Sequence, residues 1–164
     1  MDDFYIFLDI DGVMYDWKYV LSLPKRGGRL DRFNPKSVSA LNILTKKLSQ
    51  FYQTHLVISS SWRHDMTDTK NTLIKNGVDL SNLILEATPI SNSPLERGKE
   101  LLSYFNGDVA NKNYVIIDDE MGDYLKYFPR QKIIKTNMID GSLDICQVHS
   151  FLKANQNNYF DFNM

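Results

Sequence analysis

A single cysteine, Cys146, is all that this chain of 164 residues contains. It rules out an internal disulfide and suits a reducing compartment. An excess of one charge is missing too: 19 basic and 20 acidic side chains leave a net charge of −1. No whole-molecule field therefore draws the chain to nucleic acid or to a membrane, and any attraction for an anion must come from a local patch. The opening Met-Asp-Asp and the short apolar run behind it fit neither a signal peptide nor a membrane span. The expected location is the cytoplasm, with no membrane contact and no disulfide-linked partner. Internal repeats and low-complexity segments are absent, and His55, His64 and His149 stand at no metal-ligand spacing.

What is present suits one globular domain large enough to bury a core, since 43% of residues are hydrophobic and 24% charged. Its organising stretch is Phe4-Tyr5-Ile6-Phe7-Leu8 followed by Asp9-Ile10-Asp11-Gly12. Five large apolar residues in a row predict a strand buried on both faces, as in a parallel sheet. Acids at its end lie on the edge where open α/β folds bind ligands. Strand alternation sends Asp9 and Asp11 to the same side, and Gly12 allows a sharp turn away. Two such carboxylates repel by ~4 kcal/mol at ~4 Å and an effective dielectric of ~20. The arrangement calls for a cation or a shared proton.

The rest of the chain repeats this pattern. A long irregular segment from about Met14 to Phe33 reads as a flap, and Asn34-Pro35 opens a helix predicted to reach about Tyr52. His55 to Ile58 is a second strand, ending in Ser59-Ser60-Ser61-Trp62-Arg63, and a helix from about Asp65 to Asn76 closes on Gly77. Leu83 to Leu85 is a third strand. Ser93-Pro94 opens a helix through Arg97, Leu101 and Phe105. Tyr114 to Ile117 is a fourth strand, ending in Asp118-Asp119-Glu120. A short helix carries Tyr124, Leu125 and Phe128; Ile133-Ile134 is a fifth strand, and Ser142 is the expected cap of a last helix. The alternation predicts an α/β fold: a parallel five-stranded sheet in a three-layer Rossmann-like arrangement, with helices on both faces. Residues 1–154 form the single domain and residues 155–164 a tail.

Three strand ends carry residues suited to one chemistry. Carboxylates from strands one and four can hold Mg²⁺, which takes few protein ligands and leaves room for phosphate oxygens. A serine hydroxyl, a backbone amide and a cationic side chain can hold a phosphoryl group. One aspartate can attack phosphorus, and the other can protonate the leaving oxygen and then activate water.

On these residues the chain resembles the haloacid dehalogenase-like (HAD) phosphohydrolase superfamily. The motifs are Asp9-Ile10-Asp11-Gly12-Val13, the serine after strand two, a cation at a helix start and Asp118-Asp119, in order from Phe4 to about Leu152. Val57 to Arg63, Ala87-Thr88-Pro89, Val115 to Asp119 and Thr136 to Leu143 look like the small branch found in RNA-repair polyproteins. The resemblance implies an Mg²⁺-dependent phosphomonoesterase working through an aspartyl-phosphate. Asp9 is then the nucleophile and a metal ligand. Asp11 is the acid/base and lends its backbone carbonyl to the metal, and one or both of Asp118 and Asp119 complete the metal site. Ser60 is preferred for the phosphate, with Ser61 and Ser59 as alternatives, and the cation is Arg97 or Lys99. Asp123 fits a looser variant of the last motif.

The segments between these elements leave room for a flap but no large cap domain, so the expected site is open. An open site suits a phosphate on something large, such as a nucleic-acid end or a phosphoprotein. A nucleotide also fits, with Tyr15, Trp17 and Tyr19 available to stack a base. Lys25, Arg26 and Arg29, with Arg32 nearby, and separately Arg63, are candidate substrate contacts. Plainer readings stand beside these: a helix-capping serine cluster, solvated helix cations and a solubilising loop. The competing functions are a non-catalytic HAD-fold module that binds phosphate or a protein, a phosphoprotein phosphatase, and a receiver-type phosphoacceptor domain.

Overall fold

Five short apolar runs become five parallel strands in the computed structural model, which describes residues 1–24, 31–90 and 96–155. They are β1 (Asp3–Leu8), β2 (Gln53–Ile58), β3 (Leu83–Ala87), β4 (Asn113–Asp118) and β5 (Ile133–Lys135), in the spatial order β3-β2-β1-β4-β5. Leu8 pairs with Ile58 on one side and Ile117 on the other. The chain leaves β1 toward β2 and leaves β4 toward β5, so the strand order reverses between β1 and β4. In an open α/β sheet that is where a crevice opens at the carboxyl ends.

Strand alternation sorts the core into two layers. Phe4, Ile6, Leu8, Leu56, Ile58, Val115 and Ile117 pack with α2 (Pro35–Leu48), α3 (Met66–Lys75) and α5 (Ile145–Ala154). Phe7, Val57, Tyr114, Ile116 and Ile133 face the other way, against Leu101 of α4 (Arg97–Tyr104), Phe105, Tyr124 and Phe128. At roughly 1.5–3 kcal/mol for each large side chain fully buried, these two layers supply the main force holding the sheet edge in place. No cap domain interrupts the described residues.

Several boundaries differ from expectation. Helix α2 starts as predicted, with the Asn34 side chain accepting from the Lys36 amide, but ends at Leu48. The amides of Phe51 and Tyr52 both bond back to the Leu48 carbonyl, turning the chain into β2. The flap is not wholly irregular: Asp11 and Tyr15 form a backbone bridge, and α1 (Trp17–Ser22) follows, capped by Asp16. Asp144, not Ser142, caps α5, in a reciprocal box with Gln147. The Ser142 hydroxyl instead donates to the buried Asp16 carboxylate at 2.7 Å. The predicted Ser93-Pro94 helix start and the tail beyond Asn155 lie outside the described residues.

Candidate active site

The ladder extends one residue past the strands. The Asp9 amide donates to the Ile117 carbonyl at 3.0 Å, and the Ser59 amide to the Leu8 carbonyl at 3.0 Å. Asp118 pairs with Lys135. Ser59, Asp9, Asp118 and Lys135 therefore form one row across the sheet end. Their parity matches Val57, Phe7, Ile116 and Ile133, so the row faces α4. Arg97, the first residue of α4, lies over it: its guanidinium donates to Asp118 Oδ2 at 2.9 Å and stands 3.4 Å from Asp9 Oδ1.

Oxygens of Asp9, Asp118 and Asp119 lie within 4.8 Å of one another. Asp9 is 2% exposed and Asp118 fully buried. Burial and the Asp118 carboxylate push Asp9 well above the usual carboxylate range. Burial raises Asp118 as well, against the opposing pull of Arg97 and of donors from the Glu120 amide and the Tyr124 phenol. Asp119 is raised by burial and by Asp118. Burial by itself would lower Arg97, but Asp9 and Asp118 outweigh it and hold the guanidinium firmly charged. Fully ionised, three carboxylates against one guanidinium leave two negative charges in a space largely closed to water. Asp9 Oδ1 is buried with no hydrogen-bond partner. A buried carboxylate oxygen that accepts no hydrogen bond and a two-charge deficit fit one divalent cation.

The supporting contacts explain the local sequence. Gly12 has φ +74°, and a Cβ there would fall 2.5 Å from the Asp119 carboxylate, so only glycine lets the two strand exits approach. Asp118 is held from three directions: Glu120 N–H on Oδ1, and Arg97 and the Tyr124 phenol on Oδ2. Lys135 Nζ donates to the Asp119 carbonyl at 2.9 Å. Asp11 is only partly buried, and its carboxylate stands outside the three-acid cluster. Asp11 Oδ1 accepts from the Tyr15 phenol and from Trp62 Nε1, the latter at 3.3 Å.

The structure separates the candidate residues of the serine run and of α4. Ser60 is turned away from the row; its hydroxyl accepts from the Trp62 amide and caps the 3₁₀ turn Ser61–His64, and Ser61 is exposed. Ser59, in the row beside Asp9, has a buried hydroxyl with no partner. Lys99 points to solvent and pairs with Glu96, which leaves Arg97 as the cation at the acids. Arg63 is not a free substrate contact. Its two Nη atoms donate to the Ser59 carbonyl at 2.7 Å, the Thr88 hydroxyl at 3.1 Å and the Glu100 carboxylate at 3.0 Å, while Nε has no hydrogen-bond partner. Asp123 accepts from the Gly98 amide at 2.7 Å at the start of α4 and so steadies that helix rather than joining the acids. Tyr15 is buried on Asp11 and cannot stack a base, while Trp17 is exposed. Lys25, Arg26 and Arg29 lie outside the described residues. Sequence reasoning missed Tyr124 as a partner of Asp118 and preferred Ser60 to Ser59. Counting parity on from Val57 places Ser59 in the row with Asp9 and Ser60 off it.

The strand order, the Asp-x-Asp-Gly exit of β1 and the paired acids after β4 define a HAD-like domain. The chain belongs to the family described as the HAD domain in Swiss Army Knife RNA repair proteins, which matches residues 5–141. Among solved structures it is similar to the HAD domain of effector protein Lem4 from Legionella pneumophila. That match has 16% identity and a TM-score of 0.51, over 96% of this chain and 95% of that one. An inactive mutant of the same domain matches with the same identity and TM-score. At this identity the likeness is one of fold. No curated protein sequence matches the chain.

Proposed function

We propose that this domain is an Mg²⁺-dependent phosphomonoesterase that works through an aspartyl-phosphate on Asp9. The observation that carries the reading is the cluster of Asp9, Asp118 and Asp119, with two negative charges left over by Arg97 when all are ionised and a buried Asp9 oxygen that accepts no hydrogen bond. Asp9, Asp118, Asp119 and the Asp11 backbone carbonyl would hold Mg²⁺, a hard cation suited to oxygen donors. Bound there, it would let the acids stay ionised and neutralise charge on the phosphoryl group. Arg97 and the Ser59 hydroxyl hold the phosphoryl oxygens. Asp9 attacks phosphorus, and Asp11, set apart from the trio, gives a proton to the leaving oxygen and later takes one from water.

With no cap among the described residues, the site suits a phosphate carried on a large molecule. Membership of a family described from RNA repair proteins favours nucleic-acid ends, with nucleotides next. Among the described residues no helix is long and apolar enough to cross a membrane, and the lone cysteine is a free thiol, which supports a cytoplasmic setting. The test is hydrolysis of a generic aryl phosphate with and without Mg²⁺, for wild type and Asp9→Asn. Metal-dependent turnover that the substitution abolishes is the expected result. Phosphate binding without turnover would return the chain to the class of non-catalytic HAD-fold modules. A panel of 3′- and 5′-phosphorylated oligonucleotides, nucleotides and phosphopeptides then ranks substrates.

A further inference from the structure

We propose that the groove between α2 and the returning flap holds a single strand of nucleic acid whose phosphorylated end is presented to the acids. The inference deepens the phosphomonoesterase reading and rests on it for what happens at the strand's end. The groove has a volume of about 630 Å³. Its apolar lining is Pro35, Val38 and Ile43 of α2 with Phe33 of the flap, and the half-buried Tyr19 of α1 adds a second ring. Arg32, Lys46 and Lys75 bring three cations, and among the described residues no carboxylate joins them in the lining. Lys75 is paired with Asp31 at 2.5 Å, but both side chains are exposed, 69% and 40%, and such a pair yields to another anion at little cost. In a chain of net charge −1, this is a local patch of the kind that attraction for a polyanion requires.

The mixture of rings, apolar carbon and cations selects a single strand. Unstacked bases cover aromatic and apolar surface while their phosphates meet the cations. A duplex keeps its bases stacked, and an acidic peptide would meet the cations but leave the rings uncovered. The two amides of the lining are already spent. Asn42 donates to the Gly77 carbonyl at 2.9 Å and accepts from the Asp79 amide at 3.0 Å. Asn76 accepts from the Phe33 amide at 2.8 Å and donates to the carbonyls of Asp31 and Thr72. Neither is left to read base edges, so binding is indifferent to base order. The Asn76 bonds also tie the returning flap to the end of α3, which forms the groove before a strand arrives.

The groove lies close to the acids. The Phe33 ring packs on Trp62 with centroids 5.9 Å apart, and Trp62 Nε1 donates to Asp11 Oδ1 at 3.3 Å. Two side chains thus link the groove lining to Asp11, and a strand lying in the groove needs few further nucleotides to bring its end to Asp9.

Fluorescence anisotropy of a labelled, unphosphorylated oligonucleotide of about ten nucleotides reads strand binding by the full chain without turnover. Arg32→Gln, Lys46→Gln and Lys75→Gln combined should weaken binding at least about tenfold. They should also flatten the slope of log affinity against log salt by about 2, at ~0.7 per phosphate. Tyr19→Leu should weaken binding about fivefold or more. The same loss of charge at Lys70, Lys112 and Lys153, which do not line the groove, should change affinity by less than about threefold at physiological salt. Two strands of one composition and different order should bind alike. For a strand with a terminal phosphate, the groove variant should raise KM about tenfold at unchanged kcat, with aryl phosphate hydrolysis unaffected. No binding to the wild type, equal weakening by the two triple variants, or equal binding of polyglutamate of matched charge overturns the groove as a nucleic-acid site. Aryl phosphate hydrolysis separates the failures. Turnover without strand binding removes the groove and leaves the phosphatase reading; groove-dependent binding without turnover does the opposite. Thermal unfolding reports whether the variants are folded, and Lys46→Gln alone, at an exposed position, decides through its salt slope if the triple variant is not.

Discussion

Two arginines serve the same helix in opposite ways. Arg63 reaches α4 from the turn after β2 and meets Glu100, with the Ser59 carbonyl and Thr88 hydroxyl taking further donors. That group is balanced, one cation to one anion, though Arg63 Nε is left without a hydrogen bond. Arg97, one turn earlier on α4, faces three acids and keeps its side chain 30% exposed. A balanced buried pair holds two strand ends and a helix together. An unbalanced one is costly unless something charged completes it. Charge balance, more than burial, separates the structural arginine from the candidate functional one.

The widest gap should be in turnover. Asp9→Asn is expected to lower aryl phosphate hydrolysis by about 10⁴-fold or more, as loss of a nucleophile does elsewhere. Glu100→Gln should retain far more activity under conditions where it is folded. Chemical denaturation should reverse the ranking. Glu100→Gln strands a buried guanidinium and should cost about 3–5 kcal/mol, whereas Asp9→Asn relieves like-charge crowding and should stabilise the metal-free protein by about 1 kcal/mol. Equal signs for the two would break the comparison.

Acid pH should erase the smaller effect. Because Asp9 binds its proton more tightly folded than unfolded, the native state holds the greater number of protons between the two values, and its stability falls as pH rises. The gain from Asp9→Asn should therefore vanish below about pH 4, the ordinary carboxylate value, and grow above it. Comparing wild-type and variant thermal midpoints across pH, without metal, checks this. A smaller contrast lies in the serine run. Ser59→Ala should weaken kcat/KM by about tenfold through one lost phosphate hydrogen bond, while Ser60→Ala should cost about 1 kcal/mol of stability as a lost cap. The reverse assignment would restore Ser60 to the site.

Much of the fold and of the acid cluster is legible in the order of residues along the chain. Apolar runs ending in acids mark β1 and β4 and the crevice between them, and helical spacing from Leu101 and Phe105 marks Arg97. What is not legible depends on pairing between distant segments. Which serine faces the acids follows from the β1–β2 register, and Ser60 looks equivalent without it. Arg63 reads as a free surface cation because Glu100 meets it only once α4 docks. Tyr15 and Trp62 look like packing or stacking rings, and nothing local ties them to one oxygen of Asp11. Ser142 carries a cap's composition, but its hydroxyl is claimed by Asp16 from the flap.

The central claim is that the acids around Arg97 are short of one divalent cation. Isothermal titration of the metal-free chain with Mg²⁺ tests it directly, for wild type beside Asp118→Asn. One ion bound per chain, with binding weakened at least about tenfold by the substitution, is the predicted result. No binding to the wild type, or binding indifferent to Asp118, would contradict the account.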